Sequence, residues 1–172
     1  MCVLSLVLVG CTTYKAPKLT VVDVLISEAS DDAMVLMFLI DVENPNDVEI
    51  PLQEASYILS LDGHRVFSGN RSPQTTLHRL GTQRIELPAV IPIPEDGPAP
   101  TGSHSYTLGG TLVYITPGEI AELLFDSKLR RPTVRFSDRG TINFDEPVDP
   151  APVAPADEEP DDDEPDDVQT VP

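Results

Sequence analysis

The segment Met34–Asn46 constrains the fold of this chain more than any other. It is apolar from Met34 to Val42 except at Asp41, and it stops at Asn44-Pro45-Asn46. A transmembrane helix needs about 20 apolar residues, so this run is too short to cross a bilayer. Its β-branched and aromatic members and its Pro/Asn terminus favour a strand. A strand that is apolar on both faces predicts cover on both faces, so we expect it to lie centrally in a sheet.

The charge of the chain is distributed unevenly. The formal net charge is −18, and 12 of the 29 Asp and Glu residues lie in Asp145–Pro172, which contains no Lys or Arg. This acidic, Pro-punctuated segment cannot bury enough apolar surface to fold, so we predict a disordered tail over residues 145–172. The tail either keeps the protein soluble, binds Ca²⁺ diffusely or docks to a basic partner. The remainder is mildly acidic and has no basic patch that would indicate nucleic-acid binding.

The first residues resemble the end of a bacterial lipoprotein signal peptide. Residues 2–9 are apolar apart from Ser5, and Leu8-Val9-Gly10-Cys11 matches the lipobox pattern. The resemblance implies a signal peptide over residues 1–10, cleavage before Cys11 and acylation of the Cys11 sulfur. Residues 11–18 would then form a tether, and two or three acyl chains would anchor the protein stably in a membrane.

Other interpretations of the N-terminus remain open. A signal peptide should begin with Lys or Arg, but none precedes Lys15. Either the signal peptide is truncated here, or the segment is a buried strand with an ordinary apolar cysteine. A Cys2–Cys11 disulfide is the alternative to acylation, although it would close only a terminal loop.

The middle of the chain alternates short apolar or β-branched segments with turn residues. We predict strands over residues 19–27, 34–42, 55–62, 64–68, 103–115, 133–136 and 141–144, with an extended segment over 75–93 and turns over 28–32 and 137–140. Asp62-Gly63 is the strongest hairpin signal, because a type I′ turn needs positive φ at both central positions. Three prolines, Pro88, Pro92 and Pro94, predict that the end of the extended segment either lies at a sheet edge or leaves the sheet. Gly110 predicts a bulge or a close backbone approach.

One helix is predicted near residues 117–127. Thr116 is a candidate N-cap, Pro117 suits the first helical position, and Ile120, Leu123 and Leu124 form one apolar face. Seven or eight short strands in about 125 residues predict an all-β sandwich with a single core. Candidate core residues in the later strands are Leu77, Ile85, Leu87, Val90, Ile91, Tyr106, Leu108, Leu112 and Tyr114.

The body over residues 19–144 resembles the late embryogenesis abundant group 2 family, also called the water stress and hypersensitive response (WHy) domain. The residues that carry the resemblance are Asn44-Pro45-Asn46, Ile50-Pro51, Tyr57–Gly63, Val66–Gly69, Tyr106–Leu112 and Phe136-Ser137 before Gly140. The resemblance implies an immunoglobulin-like or fibronectin-III-like β-sandwich of about seven strands with an added helix. It also implies a role in desiccation and stress protection without catalysis, and bacterial members are often secreted or lipid-anchored.

The motif Asn44-Pro45-Asn46 has a structural interpretation. Pro45 prevents the strand ladder from continuing, and the two asparagines can cap the backbone groups that are left free. The functional alternative is that their amides form a recognition edge for a partner or for sugars.

Candidate catalytic or metal-binding residues are scattered along the chain. His64, His78 and His104 lie far apart, with no spacing typical of a metal site. The acidic pairs Asp31-Asp32 and Glu95-Asp96 are more typical of solvated turns, and no nucleophile elbow, phosphate loop or dinucleotide motif occurs. We therefore expect no metal, no cofactor, no small-molecule substrate and no enzymatic activity, unless residues distant in sequence meet in space.

The sequence thus predicts a non-catalytic, lipid-anchored protein of the cell envelope, on the extracytoplasmic side of a membrane. In a Gram-negative cell this would be the periplasm or outer membrane. It would act as a binding or structural module of the desiccation-protection type, with membranes or client proteins as partners. The alternative is an assembly component that docks a partner protein through the sandwich and the acidic tail.

Overall fold

The computed structural model describes residues 14–95, 97–116, 126–127 and 131–145. In this part the chain is all-β, as predicted, and forms eight strands. They are β1 (Lys18–Ala29), β2 (Ala33–Glu43), β3 (Ile50–Leu61), β4 (His64–Arg71), β5 (Thr76–Leu77), β6 (Thr82–Pro92), β7 (Ser103–Tyr114) and β8 (Thr133–Asn143). None of the helical structure described is long and apolar enough to span a bilayer.

The strands form two antiparallel sheets. One sheet has the order β1-β2-β6, and the other has the order β4-β3-β7-β8, with the short β5 also paired to β3. The two sheets enclose one hydrophobic core, so the predicted β-sandwich is confirmed. The largest fully buried side chains are Phe38, Leu36, Ile40, Ile50, Leu59, Leu77, Leu87, Leu108, Leu112 and Val42.

Strand β2 occupies the central position that its sequence predicts. It pairs with β1 as a hairpin on one side and with β6 on the other. The side chains that point inward, from Met34 to Val42, are buried in the core. On the opposite face Leu39 is buried, but Val35 and Met37 are only half-buried. The prediction that both faces of β2 are covered is therefore wrong, because the second face of β2 lies on the outside of a three-stranded sheet.

The β3–β4 hairpin confirms the predicted turn at Asp62-Gly63. Asp62 has φ 48° and Gly63 has φ 82°, both in the left-handed region that a type I′ turn requires. Leu61 and His64 face each other on either side of the turn. Strand β4 runs to Arg71, three residues beyond its predicted end.

Strand β6 lies at a sheet edge, as its prolines predict. Among the described strands it pairs only with β2, so the missing N–H groups of Pro88 and Pro92 interrupt no second ladder there. The prediction that Val90 lies in the core is wrong, since Val90 is 44% exposed while Ala89 and Ile91 are buried. Val90 faces Val35 across the pair, on the outer side of the sheet.

The prediction of two strands over residues 133–136 and 141–144 is wrong. Residues 133–143 form one continuous strand instead of two strands separated by a turn at 137–140. The segment pairs with β7 without interruption from Ser103↔Asn143 to Val113↔Thr133. Turn-forming residues are tolerated here because the register is fixed along the whole of β7. Gly140 also leaves room for the ring of Tyr106, which a Cβ would meet at 2.9 Å.

Several predictions concern residues outside the described part. Residues 117–125 of the predicted helix, the lipobox with Cys11 and the acidic segment 146–172 all belong to that group. They remain predictions.

Candidate functional site

The outer face of the five-stranded sheet carries a shallow groove with a volume of about 530 Å³. It runs across β4, β3 and β7, on the side of the sheet that faces away from the core. Its lining is dominated by small hydroxyl-bearing and glycine residues. These are Ser56, Tyr57, Ile58, Ser60, Ser68, Gly69, Asn70, Thr107, Gly109, Gly110 and Thr111.

The alternation of side chains along each strand builds this groove. In β3 the residues at every second position are buried, so Ser56, Ile58 and Ser60 point outward. Directly opposite Ile58 lie Ser68 on β4 and Gly109 on β7. Because these neighbours are small, they leave a depression in the sheet surface, in which polar groups surround the apolar side chain of Ile58.

Ile58 and Gly109 form an apolar spot at the centre of the groove. Ile58 is 42% exposed, which is unusual for a large aliphatic residue on a central strand. A Cβ built on Gly109 would meet nothing within 4 Å, so the backbone itself is open above this position. A partner surface can therefore contact both the isoleucine and the peptide backbone while it hydrogen-bonds to the surrounding hydroxyls.

Three arginines border the outer face of the same sheet. Arg135 and Arg139 lie on β8, opposite Thr111 and Thr107, and Arg65 lies on β4, opposite Ser60. All three are exposed. Within the described part of the chain they form no ion pair, whereas Arg84 on the other sheet binds Asp41 at 2.8 Å. The face is therefore basic and has unused hydrogen-bond donors.

The acidic residue of β8 points to the other side. Asp138 lies opposite the buried Leu108 and accepts a hydrogen bond of 2.7 Å from the hydroxyl of Tyr106. Burial, followed by the nearby Asp138 carboxylate, raises the pKa of Tyr106 above its ordinary value. An inward carboxylate on an edge strand also opposes pairing with another chain.

The Asn44-Pro45-Asn46 motif connects three segments of backbone. Asn44 is 1% exposed, and its amide nitrogen donates to the carbonyl oxygens of Val48 at 2.7 Å and His78 at 3.1 Å. Its Oδ1 accepts from the backbone N–H of Asn46 at 3.0 Å. Asn46 in turn bonds to the backbone of Lys15 through both its Oδ1 and its Nδ2. The amides are thus engaged within the protein, which leaves Asn44 unable to contact a partner.

His104 is the histidine with the most developed surroundings. Its Nδ1 lies 2.6 Å from Oδ2 of Asp62, and its Nε2 lies 3.0 Å from the carbonyl oxygen of Thr101. Oδ1 of Asp62 accepts hydrogen bonds from the backbone N–H and hydroxyl of Ser105. The Asp62 hydrogen bond raises the pKa of His104, and the same hydrogen bond lowers the pKa of Asp62.

This arrangement differs from a hydrolytic triad. Ser105 bonds to the carboxylate and not to the imidazole, and both ring nitrogens of His104 face acceptors. A protonated imidazole satisfies both contacts, and such a ring has no lone pair with which to accept a proton from a nucleophile. The group therefore ties the β3–β4 turn to the start of β7.

The other candidate residues remain separate. Nδ1 of His78 lies 3.8 Å from Oε1 of Glu49 at an exposed position, and His64 is exposed in β4. Asp31 and Asp32 lie in the exposed β1–β2 turn, and Asp96 is outside the described residues. Among the residues that the structure describes, no group of three or more His, Cys, Asp or Glu could hold a metal ion.

The groove was not among the sites predicted from the sequence. A signal for it does exist, because Ser56-x-Ile58-x-Ser60 and Thr107-x-Gly109-x-Thr111 place small polar residues on the non-core face of two strands. Only the register reveals that the two triplets are adjacent and that Ser68 and Asn70 extend them.

Part of the chain resembles a known protein family. A family model described as late embryogenesis abundant protein matches residues 39–95. That match covers the second half of β2 through β6, including Asn44-Pro45-Asn46, the Asp62-Gly63 hairpin and the β3 and β4 sides of the groove. None of the curated proteins matches the chain.

Two solved structures share the fold. The Arabidopsis thaliana protein AT1g01470 is 18% identical with a TM-score of 0.56, and the match covers 78% of this chain and 88% of that protein. The protein At2g46140.1, described as a late embryogenesis abundant (LEA) protein, is 21% identical with a TM-score of 0.56, with 74% of this chain and 71% of that one covered. At these identities the likeness shows a common fold.

Proposed function

We propose that this protein is a non-catalytic protection module of the late embryogenesis abundant group 2, or WHy, type. It acts by surface contact with membranes or client proteins when water is withdrawn. In this proposal the protein is a lipoprotein, anchored through Cys11 on the extracytoplasmic side of a membrane of the cell envelope. The family-model match over residues 39–95 and the fold shared with a LEA protein support this type of function.

The observation that carries the proposal is the hydroxyl-lined groove on the outer face of the five-stranded sheet. Hydroxyl groups both donate and accept hydrogen bonds, so they can replace water around a polar surface. The sheet holds them in fixed positions, which lowers the entropy cost of each contact. Ile58 adds one exposed apolar contact at the centre. A shallow groove of this kind suits contact with a broad surface better than enclosure of a small substrate.

The His104 geometry supports a function without catalysis. It is the histidine in the described part with a carboxylate partner at hydrogen-bond distance, and its two nitrogens face Asp62 and Thr101. General-base catalysis would require one of these nitrogens to be free and within reach of a reacting group. We therefore assign this cluster to the stability of the fold.

A drying assay with a matched pair of variants tests the contact function. A desiccation-sensitive enzyme is dried with the wild-type protein, with Ile58→Lys or with Val22→Lys, and its residual activity is measured after rehydration. Val22 is a matched control for Ile58, since Val22 is 43% and Ile58 42% exposed on strands of different sheets. We expect protection by the wild type and by Val22→Lys, and reduced protection by Ile58→Lys. Equal loss of enzyme activity with and without the protein would refute the proposal.

The lipid anchor requires a separate experiment. Mass spectrometry of the native N-terminus should find a mature chain that begins at Cys11 and carries diacylglycerol on its sulfur. Cys11→Ser should abolish the added mass and release the protein from membranes. An unmodified Cys11, or a Cys2–Cys11 disulfide, would contradict this part of the proposal.

An assembly component is the second candidate. The observation that favours it is the outer face of the three-stranded sheet, where Val35 and Met37 are half-buried and Val90 is 44% exposed. Such a face can bind a partner protein. In this case a pull-down from envelope extract should retain one defined partner, and removal of residues 145–172 or Val90→Asp should weaken its retention. Val22→Asp serves as the control on the same sheet.

A further inference from the structure

Part of the described surface of the sandwich is basic. On the outer face of the five-stranded sheet, Arg65, Arg135 and Arg139 border the groove, and the groove lining contains no Asp or Glu. Two carboxylates flank the groove along β3: Asp62, which already accepts hydrogen bonds from His104 and Ser105, and the exposed Glu54, two residues before Ser56. This face is therefore positive on a chain whose net charge is −18.

The outer face of the other sheet differs. It carries exposed acids such as Asp23 and Glu86, while Glu43 pairs with Lys18, and the arginine of this sheet, Arg84, is held by Asp41. A negatively charged segment approaching the sandwich is repelled there. It meets free arginines on the five-stranded sheet, so electrostatic steering favours that face.

A strongly acidic segment lies in the same chain. The described structure ends at Asp145, whose carboxylate accepts a hydrogen bond of 3.0 Å from the N–H of Gly102 beside the end of β8. Residues 146–172 follow, and the block from Asp157 to Asp167 holds nine of the tail's acidic residues. The tail therefore starts at the end of the strand that carries Arg135 and Arg139.

The distances are compatible with binding within one molecule. At about 3.3 Å per residue, Arg139 lies about 20 Å from Asp145 along β8 and Arg135 about 33 Å. The 12 residues from Asp145 to Asp157 include four prolines, and a Pro-rich linker of this length spans about 37 Å at about 3.1 Å per residue, enough to reach both arginines. A linker whose average span matches the separation of two sites gives the highest effective concentration.

We propose that the outer face of the five-stranded sheet is a docking site for the chain's own acidic tail, with Arg135, Arg139 and Arg65 as the receiving groups. The tail lies across the groove in an extended form, and its carboxylates pair with the guanidinium groups. Prolines in the tail reduce the entropy that such ordering costs. Each exposed ion pair is weak, so the docking is reversible and falls with ionic strength.

Paramagnetic relaxation enhancement tests this proposal in the full chain. Cys2 and Cys11 are replaced by serine, a nitroxide spin label is attached at Val168→Cys, and the amide signals are recorded from about 20 mM to about 500 mM salt, where screening shortens to a few ångströms. We expect broadening of Ile58, Gly109 and Ser137 at low salt that disappears at high salt. Broadening that is absent, or equally strong at Val22 and Val35, overturns the proposal.

Matched variants identify the groups responsible. Arg135→Gln with Arg139→Gln should abolish the broadening, whereas Lys15→Gln with Arg79→Gln removes the same charge from exposed positions elsewhere and should leave it unchanged. Neutralising Asp161, Asp162 and Asp163 to Asn should have the same effect as the first pair without touching the sandwich. Persistence of the broadening in both the arginine pair and the neutralised tail would refute the assignment.

A mixed sample separates binding within one chain from binding between chains. Isotope-labelled protein without the spin label is combined with unlabelled protein that carries it. We expect no broadening in this mixture. Broadening of the groove signals there would mean that the tail binds a second copy, which contradicts the docking within one chain. The outcome is independent of the drying assay, because the tail could dock whether or not the groove protects clients.

Discussion

The hydroxyl of Tyr57 on β3 donates a hydrogen bond to the carbonyl oxygen of Pro88 on β6, and this bond joins the two sheets of the sandwich. Tyr57 is only 3% exposed, and glycines lie opposite it on both neighbouring strands, Gly69 on β4 and Gly110 on β7. Burial raises the pKa of Tyr57 to about 12. The phenol therefore stays protonated and bonded throughout the physiological range.

Replacing Tyr57 with Phe should lower the free energy of unfolding by about 1–2 kcal/mol, since the ring still fills its site but a partly buried carbonyl loses its partner. Urea denaturation measures the change. Tyr14→Phe is the control, as Tyr14 is half-buried and has no hydrogen bond from its hydroxyl in the described part. The wild type should also lose stability as the pH rises from 10 towards about 12, because only the unfolded tyrosine ionises readily there. This alkaline loss should be smaller in Tyr57→Phe.

Much of this architecture could be predicted from the sequence. The apolar run at Met34–Val42 indicated a central strand, and Asp62-Gly63 indicated a type I′ hairpin, because both signals are local and have one dominant cause. The prolines of β6 likewise indicated an edge strand. In each case the residue types favour one structure over its competitors.

The rest depended on contacts between distant residues. Ser137–Gly140 has the composition of a turn, yet its register with β7 keeps it extended. Val90 lies in an apolar run, and only its pairing with Val35 shows that it faces outward. The groove around Ile58 requires three strands in register, so no single segment reveals it.

Asn44→Ala should destabilise the fold more than Asn46→Ala, the corresponding change at the other asparagine of the motif. Asn44 is buried, and its removal leaves the carbonyls of Val48 and His78 without these donors. We expect a loss of about 2–4 kcal/mol, because several buried groups lose partners together. Asn70→Ala, at an exposed position in β4, should change the stability by less than about 0.5 kcal/mol. Equal effects of the two substitutions in urea denaturation would show that Asn44 does not hold this junction.

Gly110→Ala and Gly109→Ala form a matched pair on adjacent positions of β7. A Cβ on Gly110 would lie 2.6 Å from the backbone oxygen of Ser56 and 2.6 Å from the ring of Phe136, whereas a Cβ on Gly109 meets nothing within 4 Å. Gly110→Ala should therefore cost about 1–3 kcal/mol through overpacking. Gly109→Ala should be neutral or stabilise the strand by up to about 1 kcal/mol. Thermal unfolding of both variants gives the comparison, and a stable Gly110→Ala protein would contradict the close approach.

The Asp62–His104 pair should make the stability depend on pH near neutrality. Its hydrogen bond raises the pKa of His104 above the ordinary value of 6.5, so the stabilisation is fully present below pH 6.5 and is lost as the pH rises through the folded-state pKa. The same contact lowers the pKa of Asp62 below 3.8, so its contribution is present above pH 3.8 and is lost as the pH falls further. The pair should therefore contribute most between these two values.

Asp62→Asn isolates this effect, because asparagine tolerates the positive φ of the turn and can still accept the hydrogen bond from Ser105. Urea denaturation at a series of pH values above 6.5 should show a declining free energy of unfolding in the wild type and a flatter profile in Asp62→Asn. His64→Gln, at an exposed position beside the same turn, should keep the wild-type decline. An NMR titration of the His104 ring should show a pKa above 6.5 that falls in Asp62→Asn, and an unchanged value would rule out the carboxylate as its cause.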